Sequence, residues 1–210
     1  MTWHGQKETD KHIADYFKGV ANGVCIEVGV SDGQRGSNTL HFEERGWRAI
    51  CIDPIPEHVE AAKKIRKEVM EVACGSNYSR SRDFYVFDIG ERNIMSTLSG
   101  LKPDPKLITS HAHLINGCRT IKVPVRPLHA IIRELELESI DFISIDTEGT
   151  EIDVLQGLEL TGRYYDIGLL VIENNHDEPH IENYLKDFGW VKVKRFFVND
   201  FYVREEHLDD

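Results

Sequence analysis

Two apolar runs in this chain end in acidic residues. Asp141-Phe142-Ile143-Ser144-Ile145 leads into Asp146-Thr147-Glu148-Gly149-Thr150-Glu151, and Gly168-Leu169-Leu170-Val171-Ile172 leads into Glu173-Asn174-Asn175-His176. A carboxylate or imidazole at the mouth of a buried element is suited to take a proton from a reacting hydroxyl. Asp146, Glu148, Glu173 and His176 are the candidates. A structural role stands beside this one, because Glu148 and Glu151 also favour the positive end of a following helix.

A second constellation lies earlier. Val24–Val28 runs into Gly29-Val30-Ser31-Asp32-Gly33, with Glu27 at its head. Small residues there let the backbone turn sharply and approach a ligand. A dinucleotide fingerprint needs glycine where Ser31 stands, so that a pyrophosphate can come close. That weakens the rival reading of an NAD-dependent oxidoreductase. About twenty residues past Gly33, Asp53 ends the next apolar run. A carboxylate at that place accepts both hydrogens of a ribose diol, or it starts the helix ahead of Pro54. Loop and carboxylate together point to an adenosine-containing ligand that needs no phosphate. S-adenosylmethionine fits: it has a ribose, an adenine and an amino acid end. A non-catalytic S-adenosylmethionine-binding module would keep these features and lose the acidic strand ends. His111 and His113 read as surface loop or substrate contacts. His4, His12, His41, His58, His129, His180 and His207 read as surface or helix residues, and Asp10, Glu68 and the final Leu208-Asp209-Asp210 as solvated surface.

These residues need a scaffold, and the hydrophobic pattern supplies one. Runs at 24–28, 48–53, 69–73, 141–146 and 168–173 read as strands. Stretches 39–45, 57–68, 128–137, 150–158 and 181–188 read as helices, the second with Val59, Ala62, Ile65 and Val69 on one face. Strands apolar on both faces that alternate with helices form a parallel sheet covered on both sides. Ligands of such sheets bind beyond the carboxyl ends of the strands. Residues 191–197 and 201–204, around an Asn199-Asp200 turn, read as a hairpin that ends the sheet with an antiparallel strand. Residues 76–127 break the rhythm with two β-like pieces, 84–87 and 120–125, around a polar middle. An excursion of that length suits a lid over the acceptor pocket.

With 210 residues the chain reads as one domain over 1–210, opened by an N-terminal helical segment at 1–22. Lys and Arg number 25 against 36 Asp and Glu, a formal charge of −11. This balance argues against nucleic acid and anionic membranes as partners. The longest apolar stretches, such as 167–172, fall far short of the ~20 residues that span a bilayer. The first ten residues lack the apolar core of a secretory leader. Cys25, Cys51, Cys74 and Cys118 have no metal-finger spacing and read as small hydrophobes in a reducing compartment, so the expected location is the cytoplasm.

Three blocks resemble the FkbM-like class I methyltransferases, which use S-adenosylmethionine. The first runs from Cys25-Ile26-Glu27-Val28-Gly29 through Gly36-Ser37-Asn38-Thr39 and Gly46-Trp47 to Cys51-Ile52-Asp53-Pro54. The second and most distinctive is Asp146-Thr147-Glu148-Gly149-Thr150-Glu151, followed by Val154-Leu155-Gln156-Gly157. The third is Ile172-Glu173-Asn174-Asn175 with Asn199-Asp200-Phe201-Tyr202-Val203-Arg204. Val30, Ser31 and Asp53 depart from the family's usual residues; Asp53 keeps the carboxylate of the commoner Glu with a shorter reach. The resemblance implies a single Rossmann-like α/β domain with a mostly parallel seven-stranded sheet, helices on both faces and a C-terminal antiparallel hairpin. It implies that Glu27, Gly29, Ser31, Asp32 and Gly33 line the methionine part of the cofactor, with Ser37 and Asn38 closing over it. Asp53 then holds the ribose, and Pro54, Ile55, Ala73 and Cys74 flank the adenine. Asp146 lies near the transferred methyl, and Glu148 faces the acceptor. The implied reaction is O-methylation of a sugar or other small-molecule hydroxyl, free or on a glycan. Asp146 with Glu173 and Asn174 also resembles the oxygen-ligand set of Mg²⁺-dependent catechol-type O-methyltransferases.

Overall fold

Aliphatic and β-branched residues fill the runs that become the central strands. The computed structural model describes residues 2–89 and 98–208. Its strands are β1 (Val24–Val28), β2 (Arg48–Asp53), β3 (Glu68–Glu71), β4 (Ala73–Cys74), β5 (Ser79–Ile89), β6 (Ile115–Arg126), β7 (Ser139–Ile145), β8 (Asp166–Glu173), β9 (Trp190–Phe196) and β10 (Asn199–Arg204). Its α-helices are α1 (Thr9–Ala14), α2 (Leu40–Glu43), α3 (Pro56–Ala62), α4 (Pro105–Ser110), α5 (Leu128–Glu134), α6 (Glu151–Gln156) and α7 (His180–Lys186). Among the described residues no helix is long and apolar enough to cross a membrane.

Seven strands make one sheet in the order β3-β2-β1-β7-β8-β10-β9. Neighbours from β3 to β8 are parallel, and β10 runs antiparallel to both β8 and β9. Alternate residues of the inner strands face opposite layers. Ile26, Ile143 and Leu170 pack under α5, α6 and α7 with Leu128, Ile131, Leu155 and Leu185. Cys25, Phe142 and Leu169 face the other layer, where Ile13 of α1, Phe42 of α2 and Trp47 cover them. Rings dominate that layer: Phe42 lies 4.9 Å from Trp47 and 4.8 Å from Phe142 between centroids. Both faces are therefore buried, which explains why these strands show no polar alternation.

Four local expectations change. The run at 69–73 is not one strand. β3 ends at Glu71, and Ala73–Cys74 crosses to a second sheet, where it pairs with Val125 and Arg126. The expected 57–68 helix ends at Ala62, and Ile65 stands 46% exposed on the turn that carries Arg66 inward. The hairpin turns at Phe197-Val198 instead of Asn199-Asp200, with Phe197 in the left-handed region at φ 54°. Asn199 and Asp200 are buried in β10, because Asp200 accepts from Arg195 (2.8 Å) and from Asn174 Nδ2 (2.8 Å). Consequently the antiparallel strand is not the last of the sheet: β10 lies inside and β9 forms the edge.

Within 76–127, β5 and β6 form a long antiparallel ribbon that joins β4 in a three-stranded sheet. Its apolar side, with Phe84, Val86, Val123 and Val125, packs on Ile55, Ala73 and Leu101. The expected irregular middle falls partly on residues 90–97, which lie outside the described residues.

Candidate active site

The carboxyl ends of β2, β1, β7 and β8 lie side by side, and beyond them opens a cavity of about 500 Å³. That size suits a small-molecule ligand. The strand-end loops supply most of its wall, Phe84 and Leu101 close one side, and His4, Gly5 and Gln6 cross another.

The first loop depends on its backbone. Gly29 has φ +92°, and a Cβ there would lie 1.8 Å from the Asp146 carbonyl oxygen. Only glycine lets β1 and β7 approach so closely. Ser31 adopts φ 52°, the left-handed conformation that glycine favours. Its N–H donates to Asp53 Oδ2 at 2.9 Å. Asp53 Oδ1 accepts from Ile55 N–H at 2.9 Å and faces His58 Nδ1 at 3.2 Å. Asp53 thus organises two loops while remaining on the cavity wall.

Behind the loop lies a buried ionic cluster. Glu27 accepts from the Ser37 hydroxyl (2.7 Å), the Asn38 N–H (2.7 Å) and the Thr39 hydroxyl (2.5 Å). The Arg66 side chain is fully buried. It donates to Gly33 O, Ser37 Oγ and Thr39 Oγ1 and pairs with Glu43 at 2.5 Å and Glu27 at 3.4 Å. Burial opposes its charge, but the Glu27 and Glu43 carboxylates outweigh that and hold the guanidinium ionised.

The opposite wall is acidic. Glu151 accepts from Thr147 N–H (3.0 Å), the Thr147 hydroxyl (3.0 Å) and Gly149 N–H (3.1 Å). It clamps a turn in which Glu148 takes φ 56°. Carboxylate oxygens of Asp146, Glu148 and Glu173 lie within 4.8 Å of one another. Burial pushes the Asp146 carboxyl up to about 6, with the Glu151 and Glu27 charges adding to it. Burial and the neighbouring charges, Asp146 foremost, push Glu148 and Glu173 well above the carboxylate range. Three such carboxyls share protons near neutrality or surround a cation.

This raises a pH prediction. The native state keeps protons here that the unfolded chain releases at its lower carboxylate pKa values, 3.8 for Asp and 4.5 for Glu. The cluster therefore favours folding most at low pH, and that contribution falls as pH rises from about 4 through the raised native values. The ligand-free melting temperature should show this decline as pH rises from about 4 through about 6 and beyond, and Glu173→Gln should flatten it. An unchanged slope in Glu173→Gln would contradict the shared-proton arrangement.

Of the sequence candidates, Glu27, Gly29, Ser31, Asp32, Ser37, Asp53, Pro54, Ile55, Ala73, Cys74, Asp146, Glu148 and Glu173 meet on one cavity wall. Gly33 does not: a Cβ there would lie 2.9 Å from Ala62 Cα, so this glycine serves the packing of α3. Asn38 lies behind the wall, donating to Ser144 Oγ at 2.9 Å. His176 borders a second cleft of about 280 Å³, where its Nε2 meets Asp104 Oδ2 at 2.6 Å; Glu173 lies on both walls. Neither His111 nor His113 lines either cavity. His41 and His58, read as surface or helix residues, lie in α2 and α3 and are buried, His58 beside Asp53. Asp10 is fully buried as well, accepting from His4 N–H at 2.7 Å. His4, Gly5, Gln6, Arg35, His58, Phe84 and Leu101 join the wall without having been expected there. Their signal in the sequence is faint; only His58, five residues past Asp53 on an adjoining helix, has a spacing that could have marked it.

The model of one protein family, described as the methyltransferase FkbM domain, matches residues 27–191. That span covers every element from the glycine turn to the first residues of β9. A comparison with curated proteins finds no match.

Proposed function

Since the chain belongs to the FkbM methyltransferase family, we propose that its cavity binds S-adenosylmethionine and delivers the methyl group to a hydroxyl oxygen of a sugar, another small molecule or a glycan. The observation that carries this reading is the division of one wall into three chemistries. Ile55, Ala73, Phe84 and Leu101 form an apolar slot suited to a base. Cys74 beside it is pushed up to about 12 by burial, so its thiol is uncharged. Asp53 offers a carboxylate for a ribose, and its oxygens have lone pairs beyond those taken by Ser31 and Ile55. Asp146, grouped with Glu148 and Glu173, offers negative charge for a cationic centre.

When bound, S-adenosylmethionine supplies an electrophilic methyl on a sulfonium. The protein's share is to position the acceptor oxygen and remove its proton. A carboxyl titrating at about 6 is ionised at neutral pH, which lets Asp146 accept that proton. Glu173, which holds its proton more tightly, donates a hydrogen bond to Asp146, and burial and the neighbouring charges push Glu148 toward its protonated form beside them. The same three oxygens also suit a hard cation.

A melting-curve comparison tests the cofactor assignment. S-adenosylhomocysteine should stabilise the purified protein and NAD⁺ should not; stabilisation by NAD⁺ alone would return the chain to the dehydrogenases. The catalytic assignment needs label transfer from methyl-labelled cofactor into pools of hydroxylated compounds. Asp146→Asn should lower that turnover by ~10² or more, the range for loss of a general base, and Glu173→Gln, whose neutral amide still donates, should lower it less. Their S-adenosylhomocysteine affinity should stay close to wild type. Undiminished turnover in both variants would leave the trio a structural role. Turnover that persists in EDTA fits proton sharing, and loss restored by Mg²⁺ would assign the oxygens to the cation.

A further inference from the structure

The cavity wall is rich in carboxylates, and its single Arg or Lys among the described residues is Arg35. The Arg35 N–H is fixed by Asp32 Oδ1 at 2.8 Å, while its exposed guanidinium pairs with no carboxylate among the described residues. Beside it, Gly36 bridges Gly5 in parallel. Residues 2–8 thus lie as a strap along the loop that carries Arg35, and this strap falls outside the span matched by the family.

The strap is held from behind. His41 Nδ1 meets the Thr2 carbonyl at 2.8 Å, and Trp3 stacks on the His41 ring at 3.9 Å and 17°. The His4 N–H donates to buried Asp10 at 2.7 Å, and the Thr9 hydroxyl donates to Gln6 O at 2.7 Å. Lys7 and Glu8, neither of them glycine, both take left-handed φ values, 54° and 66°, where the chain bends back into α1. This bend turns His4, Gly5 and Gln6 onto the cavity wall.

We propose that Arg35 and the strap form the carboxylate end of the cofactor site: the guanidinium binds the α-carboxylate of the cofactor's amino acid end, and the Trp3–His41 stack latches the strap over it. This rests on the S-adenosylmethionine reading. Such a ligand has two positive centres and one negative one. The wall's carboxylates suit the positive centres, and Arg35 supplies the charge that suits the negative one. A nucleoside without the amino acid end gains nothing from Arg35.

The test compares S-adenosylhomocysteine with 5′-methylthioadenosine, which lacks the amino acid end, by equilibrium titration and dissociation kinetics. Arg35→Ala should weaken S-adenosylhomocysteine by about tenfold or more, the range for a lost charge-assisted bond, and leave 5′-methylthioadenosine unchanged. Trp3→Ala should speed release of S-adenosylhomocysteine by about tenfold. His41→Phe, which keeps a ring and removes the bond to Thr2, should speed it less. Equal weakening of both ligands by Arg35→Ala, or no weakening of either, would overturn the carboxylate assignment. Wild-type release rates in both latch variants would overturn the strap. If the wild-type protein binds neither ligand, the cofactor reading fails and this inference with it; if the wild type binds both and Arg35→Ala changes nothing, the inference fails alone.

Discussion

Arg66→Ala should destabilise the protein by about 3–5 kcal/mol, because it strands buried carboxylates without their partner. The guanidinium is fully buried and pairs with Glu43 and Glu27 while holding Gly33 O, Ser37 Oγ and Thr39 Oγ1. Its removal leaves the Glu43 carboxylate without its closest cation and Glu27 with one fewer donor. Denaturant unfolding should show the loss as a shift of midpoint at nearly constant slope. If Arg66→Ala does not fold, Glu43→Gln offers a milder probe, since a neutral amide still accepts from Arg66 Nε. A loss below about 1 kcal/mol in Arg66→Ala would place this cluster with exposed ion pairs, which contribute little. The same variant should weaken cofactor binding, because Arg66 anchors the loop between Gly33 and Thr39.

Asp53→Ala should weaken S-adenosylhomocysteine by about 10²-fold, the equivalent of one or two hydrogen bonds to a charged group. Two effects add here. The ribose loses its acceptor, and Ser31 and Ile55 lose the carboxylate that fixes both loops. Asp53→Asn separates them: an amide oxygen keeps one backbone bond and loses the charge, so its affinity should lie between wild type and alanine. Affinity for Asp53→Ala within about twofold of wild type, measured by calorimetry, would remove Asp53 from the ligand site.

The sheet was legible in the sequence because both faces of β1, β2, β7 and β8 are buried. That makes each a continuous apolar run, and the loops after them carry the chemistry by topology. The glycine turn was legible for the same reason, and Ser31 meets a backbone demand that glycine normally meets. Tertiary pairing was not legible. Ala73–Cys74 looks like the tail of β3 because nothing local shows that Val125 and Arg126 wait across the gap. Asn199-Asp200 has turn chemistry, but Arg195 and Asn174 draw Asp200 into the sheet, and the turn falls to Phe197. Asp10 reads locally as solvated surface and His58 as a surface or helix residue; the His4 N–H and the Asp53 carboxylate, only six and five residues away, meet them in buried positions. The helical segment expected over 1–22 is helical only at Gln6–Glu8 and Thr9–Ala14, so the place of His4, Gly5 and Gln6 on the cavity wall emerges only from the fold.

The most direct test is a crystal structure of the protein with S-adenosylhomocysteine. The adenine should lie among Ile55, Ala73, Cys74 and Phe84, the ribose hydroxyls should meet Asp53, and the sulfur should face Asp146 and Glu173. The amino acid end should reach Arg35 beneath the strap. A ligand seated in the cleft of Asp104 and His176, or an adenosyl group turned so that Asp53 touches no ribose oxygen, would contradict the assignment.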